Sequence, residues 1–274
     1  MTRLTEDDVR SLTSHLEEFD AGLRSVAGVG LRDVALRACG LSATTPLLAG
    51  ARIAAVPVST GLGFIPYFSQ CVAGILAHLG CGAFVTERPD VKGLQEAAGA
   101  GAQVVFLADD ERFIALNLRS GACADDDPCT AHGYVAALEA AAGGLAGRLV
   151  LLLGLGPVGR AAARRLCQRG ARLLVVEPDG ERAAAAAARQ PMQVVKLAHG
   201  LAATGLAFDA TPAADLVDVG WVTPGSIAAV PGVPSAFTAA AQAALGPRHI
   251  HEPLAIGVAT MAVEALSGRV SPRA

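Results

Sequence analysis

Residues 148–177, RLVLLLGLGPVGRAAARRLCQRGARLLVVE, constrain the fold more than any other stretch of the chain. Leu149–Leu153 is a continuous apolar run of strand length. Gly154-Leu155-Gly156-Pro157-Val158-Gly159 follows at once, residues 160–168 have helix-forming composition, and a second apolar strand over 172–176 ends in Glu177, 18 residues after Gly159. A lone G-x-G-x-x-G is weak evidence. Set between a strand and a helix, and followed by a second strand that ends in an acid, it reads as a dinucleotide-binding fingerprint. Gly154 allows the sharp turn, Gly156 lets backbone approach a pyrophosphate, Gly159 lets helix and strand pack closely, and the helix start offers unpaired N–H donors to the anion. Glu177 is placed to take the ribose hydroxyls. A carboxylate there repels a 2′-phosphate, and no Arg or Lys follows before Arg182, so the expected cofactor is NAD rather than NADP.

Parallel strands alternating with helices continue on both sides of this unit, giving an α/β chain. Ahead of it, Thr5 with Glu6, Asp7 and Asp8 reads as a helix start. Val9, Leu12, Leu16, Phe19 and Leu23 then recur at helical spacing. Strands are expected at 53–58, 83–86 and 103–107, and helices at 64–79, 91–98, 112–116 and 128–142. The Gly143-Gly144 pair sets a boundary near residue 145. The architecture expected is therefore N-terminal helices plus a small α/β substrate domain over residues 1–145, followed by a Rossmann dinucleotide-binding domain over residues 146–274. In the second domain strands are expected at 194–197, 207–210 and 227–230 and at the strand end 249–252, with a closing helix over 254–266. Thr211-Pro212 and Pro231 end two of these strands and are assigned with the glycine turn to the cofactor wall.

In open α/β sheets ligands sit at the carboxyl ends of strands, so the strand ends hold the candidate substrate residues. The hydroxyl-rich turn 59–63 is either a substrate wall or a plain connection. Asp109, Asp110 and Glu111 end a strand, where three acids are poor core residues; they cap the helix expected next or line a site for a cationic substrate. Asp110 is the better cap, Asp109 the inward residue, and Asn117 can reach the same cleft. The run Asp125-Asp126-Asp127-Pro128 reads as a solvated turn, since calcium loops need ligands at alternating positions. The paired histidines 249 and 251 are weaker candidates than the neighbouring Glu252.

Lys plus Arg number 22 and Asp plus Glu 25, a net charge of −3 that gives no reason to expect nucleic acid or an anionic membrane as partner. No uncharged apolar segment reaches the roughly 18 residues needed to span a bilayer. The start MTRLTEDDVR is too acidic for a signal peptide, so a cytoplasmic location is expected. The six cysteines form no C-x-x-C pair and have no histidine at ligand spacing, so neither zinc nor another metal is expected. The apolar stripe of the first helix suits either its own core or a second subunit, and a homodimer is the expectation.

Several segments together carry a more specific signal: Val56-Pro57-Val58-Ser59-Thr60-Gly61-Leu62-Gly63, Phe84-Val85-Thr86 with Pro89-Asp90-Val91, Leu107-Ala108-Asp109-Asp110, Asn117-Leu118, Pro128-Cys129-Thr130, Gly154-Leu155-Gly156, Ala210-Thr211-Pro212 and residues 252–257, EPLAIG. Across nearly the whole chain they resemble the pyrrolysine synthase (PylD) family, the dehydrogenases of pyrrolysine biosynthesis. The resemblance implies NAD-dependent oxidation of the terminal amine of 3-methyl-D-ornithyl-N6-L-lysine and closure of the pyrroline ring by the α-amine. It also implies that Ser59, Thr60 and Asn117 bind substrate amines and amide, and that Leu4 and Phe68 wall the site. The chain departs from the family pattern at Leu62 and Tyr67, with Pro66 between them, and at Glu177, where the family usually has Asp. Either acid can hold ribose hydroxyls.

An ammonium must lose a proton before hydride leaves the adjacent carbon, so the reaction needs a base and carboxylates to hold a polyamine. Asp109 and Glu252 are the candidate catalytic acids. One alternative, an NAD-linked dehydrogenase of another small amino or hydroxy acid, lacks a recognisable arginine motif to grip a carboxylate. The other, a non-catalytic NAD-sensing regulator, lacks a basic helix-turn-helix, since residues 1–40 start acid-rich and contain no Lys.

Overall fold

The computed structural model describes residues 12–61 and 67–268. Two helices, α1 (Leu12–Ala27) and α2 (Leu31–Ala38), precede a five-stranded sheet. Its strands are β1 (Arg52–Val56), β2 (Gly82–Val85), β3 (Val104–Ala108), β4 (Phe113–Asn117) and β5 (Cys123–Asp125), in the order β2-β1-β3-β4-β5. β1 pairs in parallel with β2 and β3, joined through α3 (Phe68–His78) and α4 (Asp90–Gly99). β4 and β5 add antiparallel. The sheet is therefore mixed.

This corrects one expectation. Residues 112–116 form β4, not a helix, and Ala108 pairs with Phe113 across a four-residue turn. Phe113 and Ala115 are buried while Ile114 and Leu116 are less so, an alternation that a five-residue apolar run cannot separate from one helical turn by pattern alone. Asp110 therefore has no helix to cap.

The long helix α5 (Asp126–Ala141) leads into the second sheet. That sheet contains β6 (Leu149–Leu153), β7 (Arg172–Val176), β8 (Gln193–Val194), β9 (Leu206–Asp209), β10 (Ile227–Ala229) and β11 (His249–Ile250). All pairs are parallel and the order is β8-β7-β6-β9-β10-β11, the doubly wound arrangement whose strand order reverses between β6 and β9. Its helices are α6 (Pro157–Gln168), α7 (Gly180–Ala187), α8 (Leu197–Ala203) and α9 (Ala239–Leu245). The short α8 stands where the tail of a strand is expected from the sequence.

The closing helix α10 (Ala255–Ser267) leaves the second sheet and packs on α5, α2, α3, β4 and β5 of the first. Its residues Ala255–Ala265 are all buried, as is half of α5, because both lie between the layers. One contiguous core runs from Ile53 of β1 through Tyr134 and Leu138 of α5 to Leu152 of β6 and Met261 of α10. The α5–α10 contact is close enough that a Cβ on Gly133 would stand 2.5 Å from both Ile256 Cγ2 and Thr260 Oγ1.

Asn117, expected in the cleft, is spent on this packing. Its Nδ2 donates to Ala265 O at 3.0 Å, and its Oδ1 accepts from Arg119 N at 2.9 Å and Ser120 N at 3.0 Å. It is buried at the end of β4, away from the cleft. Asn117→Ala leaves buried backbone groups unpaired, a cost of about 2 kcal/mol. The melting temperature should fall by roughly 4–8 °C in a chain of this size, while dinucleotide affinity stays unchanged. Differential scanning calorimetry and a cofactor titration on the same variant check both halves.

Candidate active site

A cleft of about 1010 Å³ lies between the carboxyl ends of the two sheets, within the range that holds a cofactor with a small substrate. One end is built by the glycine turn. Gly154 leaves β6 with φ +85°, and a Cβ there would meet Ala210 O at 2.9 Å. A Cβ on Gly159 would collide with Gly154 O, so α6 packs against the strand end only because glycine stands there. At Gly156 the Cβ direction is open, and the residue lines the cleft with Pro157, the first residue of α6. The three glycines thus have three different local reasons, which together fit a pyrophosphate over the start of a twelve-residue helix. Leu155 is fully buried and contributes its backbone to the turn, while Val158 lines the cleft.

Glu177 ends β7 in the same cleft. Its Oε2 accepts from Leu155 N at 2.7 Å and its Oε1 from Asp179 N at 3.0 Å, so the carboxylate is fixed to the glycine turn it faces. Arg182, five residues further on, reaches to 3.5 Å from Oε1. Thr211, Pro212 and Pro231 all line the cleft, held by a residue that the sequence reading passed over. Asp209, fully buried at the end of β9, accepts from Thr211 N at 3.0 Å and from Ala236 N at 2.8 Å. Its backbone O accepts from Gly232 N at 3.0 Å. Burial pushes its carboxyl up to about 7 against the pull of the Ala236 and Thr211 amides.

The other end is formed by the first sheet. Thr60, Phe68 and Asp109 line it beside Val56 and Phe113. Phe68 meets Phe113 edge-on with ring centroids 5.2 Å apart. Ser59 is not at the wall: its N and Oγ both donate to Asp90, at 2.8 and 2.5 Å, which fixes the turn that carries Thr60. Asp109 Oδ1 accepts from Glu111 N at 2.8 Å and Arg112 N at 2.7 Å, so Asp109, rather than Asp110, is the turn cap as well as a lining residue. Asp110 also lines the cleft, its carboxyl against Gly61. Leu4, Leu62 and Pro66 lie outside the described residues.

Glu252 does not face the cleft. It is buried under the start of α10, with Oε2 accepting from Leu254 N at 3.0 Å and from Ala255 N, and with Oε1 buried without a partner among the described residues. Tyr134 fastens its backbone, donating from Oη to Glu252 O at 2.5 Å and accepting from Glu252 N at 3.0 Å. Burial pushes the Glu252 carboxyl up to about 7, opposed by the Ala255 and Leu254 amides. Its neighbours Pro253 and Leu254 are the ones that line the cleft.

The run 125–127 is not a solvated turn. Asp126 and Asp127 open α5 and line the cleft with Thr130, where the first turns of α6 and α10 also converge. Burial pushes Asp126 up to about 7, opposed by the Thr130 hydrogen bond and reinforced by the charges of Asp127 and Asp125. The sequence did carry a signal for this: acids directly before a Pro mark the first turn of a helix. Among the described residues no group of three metal-ligating side chains comes together, and no helix is long and apolar enough to cross a membrane.

A doubly wound parallel sheet with a glycine turn at its reversal, facing a second α/β layer across an acid-lined cleft, defines an oxidoreductase of the dinucleotide-binding class. Comparison with known proteins refines that class. A family model for the N-terminal domain of the pyrrolysine biosynthesis protein PylD matches residues 8–124. The pyrrolysine synthase of Methanosarcina acetivorans is 33% identical over 264 residues, 95% of this chain and 98% of that protein. The pyrrolysine synthase of Methanosarcina barkeri is 30% identical, over 95% and 97%. The chain belongs to the pyrrolysine synthase family. Among solved structures, a quinate dehydrogenase from Corynebacterium glutamicum in complex with NAD aligns over 80% of this chain and 93% of that one, at 15% identity and a TM-score of 0.49.

The open direction at Gly156 gives a direct check. Gly156→Val puts branched carbons into the space a pyrophosphate would take over this turn, and no described residue lies within 4 Å of a Cβ there. The variant should melt within about 3 °C of the parent, since surface changes cost roughly 0.5 kcal/mol or less, yet show no cofactor binding by fluorescence titration.

Proposed function

We propose that the chain oxidises the terminal amine of 3-methyl-D-ornithyl-N6-L-lysine with NAD and that the α-amine then closes the pyrroline ring with release of ammonia. The observation that carries this reading is the distribution of charge along the cleft. Among its described lining residues the cations, Arg182 and Lys196, both belong to the second domain's side, near Glu177 and β8. The wall formed by the first sheet and α5 presents Asp109, Asp110, Asp126 and Asp127 instead. Such a wall suits a substrate with several ammonium groups and disfavours a small hydroxy acid, whose carboxylate needs a cation to grip it.

NAD, when bound, supplies the acceptor for the hydride. The chain's residues do the rest. The glycine turn and the start of α6 hold the pyrophosphate, Glu177 holds the ribose, and the turns pinned by Asp209 wall the reacting end. Asp109 has one oxygen committed to its turn and the other available to an ammonium at the rim. Glu252 works at one remove, by fixing Pro253 and Leu254. Phe68 and Phe113 exclude water beside the substrate. Ring closure joins two amines of one molecule, so holding both on one side supplies several kcal/mol of the barrier lowering.

The reading is tested by mixing the purified chain with NAD and the ornithyl-lysine substrate and following NADH absorbance and ammonia release. Both should appear in equal amount; NADH without the cyclic imine, or neither, defeats it. Asp109→Asn removes one charged partner of an ammonium, about 1.5–3 kcal/mol. It should lower kcat/KM by roughly ten- to a hundredfold with NAD affinity unchanged.

Cofactor choice is a separate matter. Glu177 repels a 2′-phosphate, and Arg182 offsets only part of that charge. NAD should bind more tightly than NADP. Glu177→Ala should weaken NAD by about tenfold or more and narrow the gap to NADP, as read by titrating each cofactor.

A further inference from the structure

The acids of the cleft differ in what their oxygens already serve, and Asp127 keeps its Oδ1 buried without a partner among the described residues. Asp109 and Glu177 each have carboxylate oxygens committed to backbone amides. Asp126 accepts only one hydrogen bond among the described residues, from Thr130 Oγ1 at 2.9 Å, one helical turn along α5. That bond holds its Oδ1 against the first turn of α10, where a Cβ on Gly257 would stand 3.0 Å from it. Both Asp126 and Thr130 line the cleft, whose wall also includes Pro231, Gly232 and Leu254 of the second sheet's side and Phe68 and Phe113 of the first.

We propose that the Asp126 carboxylate takes the proton from the substrate's terminal ammonium before hydride leaves the adjacent carbon, with Thr130 as its positioning residue. The step balances simply. One N–H bond breaks, its electron pair stays on nitrogen, and the proton forms an O–H bond on Asp126. The neutral amine can then push electron density onto its carbon as that carbon gives up hydride to the oxidised nicotinamide, leaving an iminium for the α-amine to attack. The proton held by Asp126 is available to the nitrogen that departs as ammonia.

The charged and titratable groups around Asp126 set its behaviour. Asp125 and Asp127 flank it, Tyr134 lies further along α5, and Glu252 lies below the start of α10. Arg112, in the turn before β4, and Arg160 of α6 act on Asp127 rather than directly on Asp126. With its carboxyl raised to about 7, Asp126 carries its proton below that pH and can act as acceptor only above it. Activity should therefore rise with pH through about 7. An ammonium bound beside it favours the charged form, so binding below pH 7 should expel the proton.

This inference rests on the amine-oxidising reading, and two measurements separate the fates of the two. The first is substrate binding by isothermal titration calorimetry at pH 6.5, in two buffers of different ionisation heat, with NADH in place of NAD so that no turnover occurs. The parent should release roughly 0.5–1 more proton per substrate bound than Asp126→Asn. The second is the pH profile of kcat/KM for NADH formation. Asp126→Asn should lower it by roughly two to four powers of ten and erase the acidic limb. Thr130→Val, which leaves the carboxyl in place, should shift that limb to higher pH, because the bond it removes favours the ionised acid. Parent activity with an unaltered profile and proton count in Asp126→Asn overturns the role of Asp126 alone. Absence of NADH from the parent overturns the functional reading beneath it. If Asp126→Asn does not fold, an unshifted limb in Thr130→Val overturns the proposal.

Discussion

The close crossing of α5 and α10 is the contact on which the rest of the molecule depends. Ala255–Ala265 of α10 are all buried and no residue of α5 is exposed, which an alanine-rich helix with a glycine at the crossing tolerates better than an amphipathic one. Gly133 and Gly257 let the backbones approach until a methyl group would not fit. Because α5 begins at the first sheet and ends at the second, while α10 returns from the second to the first, their contact fixes the width of the cleft. It also places Asp126, Thr130 and Leu254 together in the wall of the cleft. Close packing of this kind gains many small dispersion contacts and makes the two layers one core rather than two.

That construction has an electrostatic cost. The first turns of α5, α6 and α10 converge on the cleft, which favours negative charge there, yet the same convergence strips water from the acids it attracts. Burial prevails over hydrogen bonding at Asp126, Asp209 and Glu252, each raised to about 7. For each, the folded chain holds its proton more tightly than the unfolded one. The stability linked to these protons is full below the ordinary carboxylate range and is lost as pH rises towards 7. A cationic substrate reverses this at the acid it touches, which couples substrate binding to the charge state of the cleft.

Much of this was legible in the sequence because it rests on local rules. The glycine turn, its flanking strands and the acid at Glu177 are consecutive, and each residue acts where its neighbours put it. The parallel sheet follows from strands that alternate with helices. The failures are non-local. β4 is a strand because β3 offers it five paired residues in register, and nothing within 112–116 says so. The closing helix has the same apolar composition whichever layer it covers, and only the buried face of α5 decides the matter. Asn117 reads as a polar residue at a strand end, but its amide meets Ala265, 148 positions away.

The acids show most clearly where sequence reasoning stops. Asp109, Asp126, Glu177, Asp209 and Glu252 all stand at strand ends or helix starts, where a functional acid and a capping acid look alike. What separates them is which donors their oxygens already serve. Glu177 is tied to the amides of Leu155 and Asp179, and Asp209 to those of Thr211 and Ala236. Glu252 spends one oxygen on Leu254 and Ala255, and Asp109 one on its own turn. Carboxylates bound in this way hold the walls in place and are costly to move, since each amide would be left unpaired. Asp126 has a hydroxyl for its partner instead, one that can rotate as the acid gains or loses a proton. The chemistry belongs to the acid whose partner tolerates both charge states, and the scaffold to those whose partners do not.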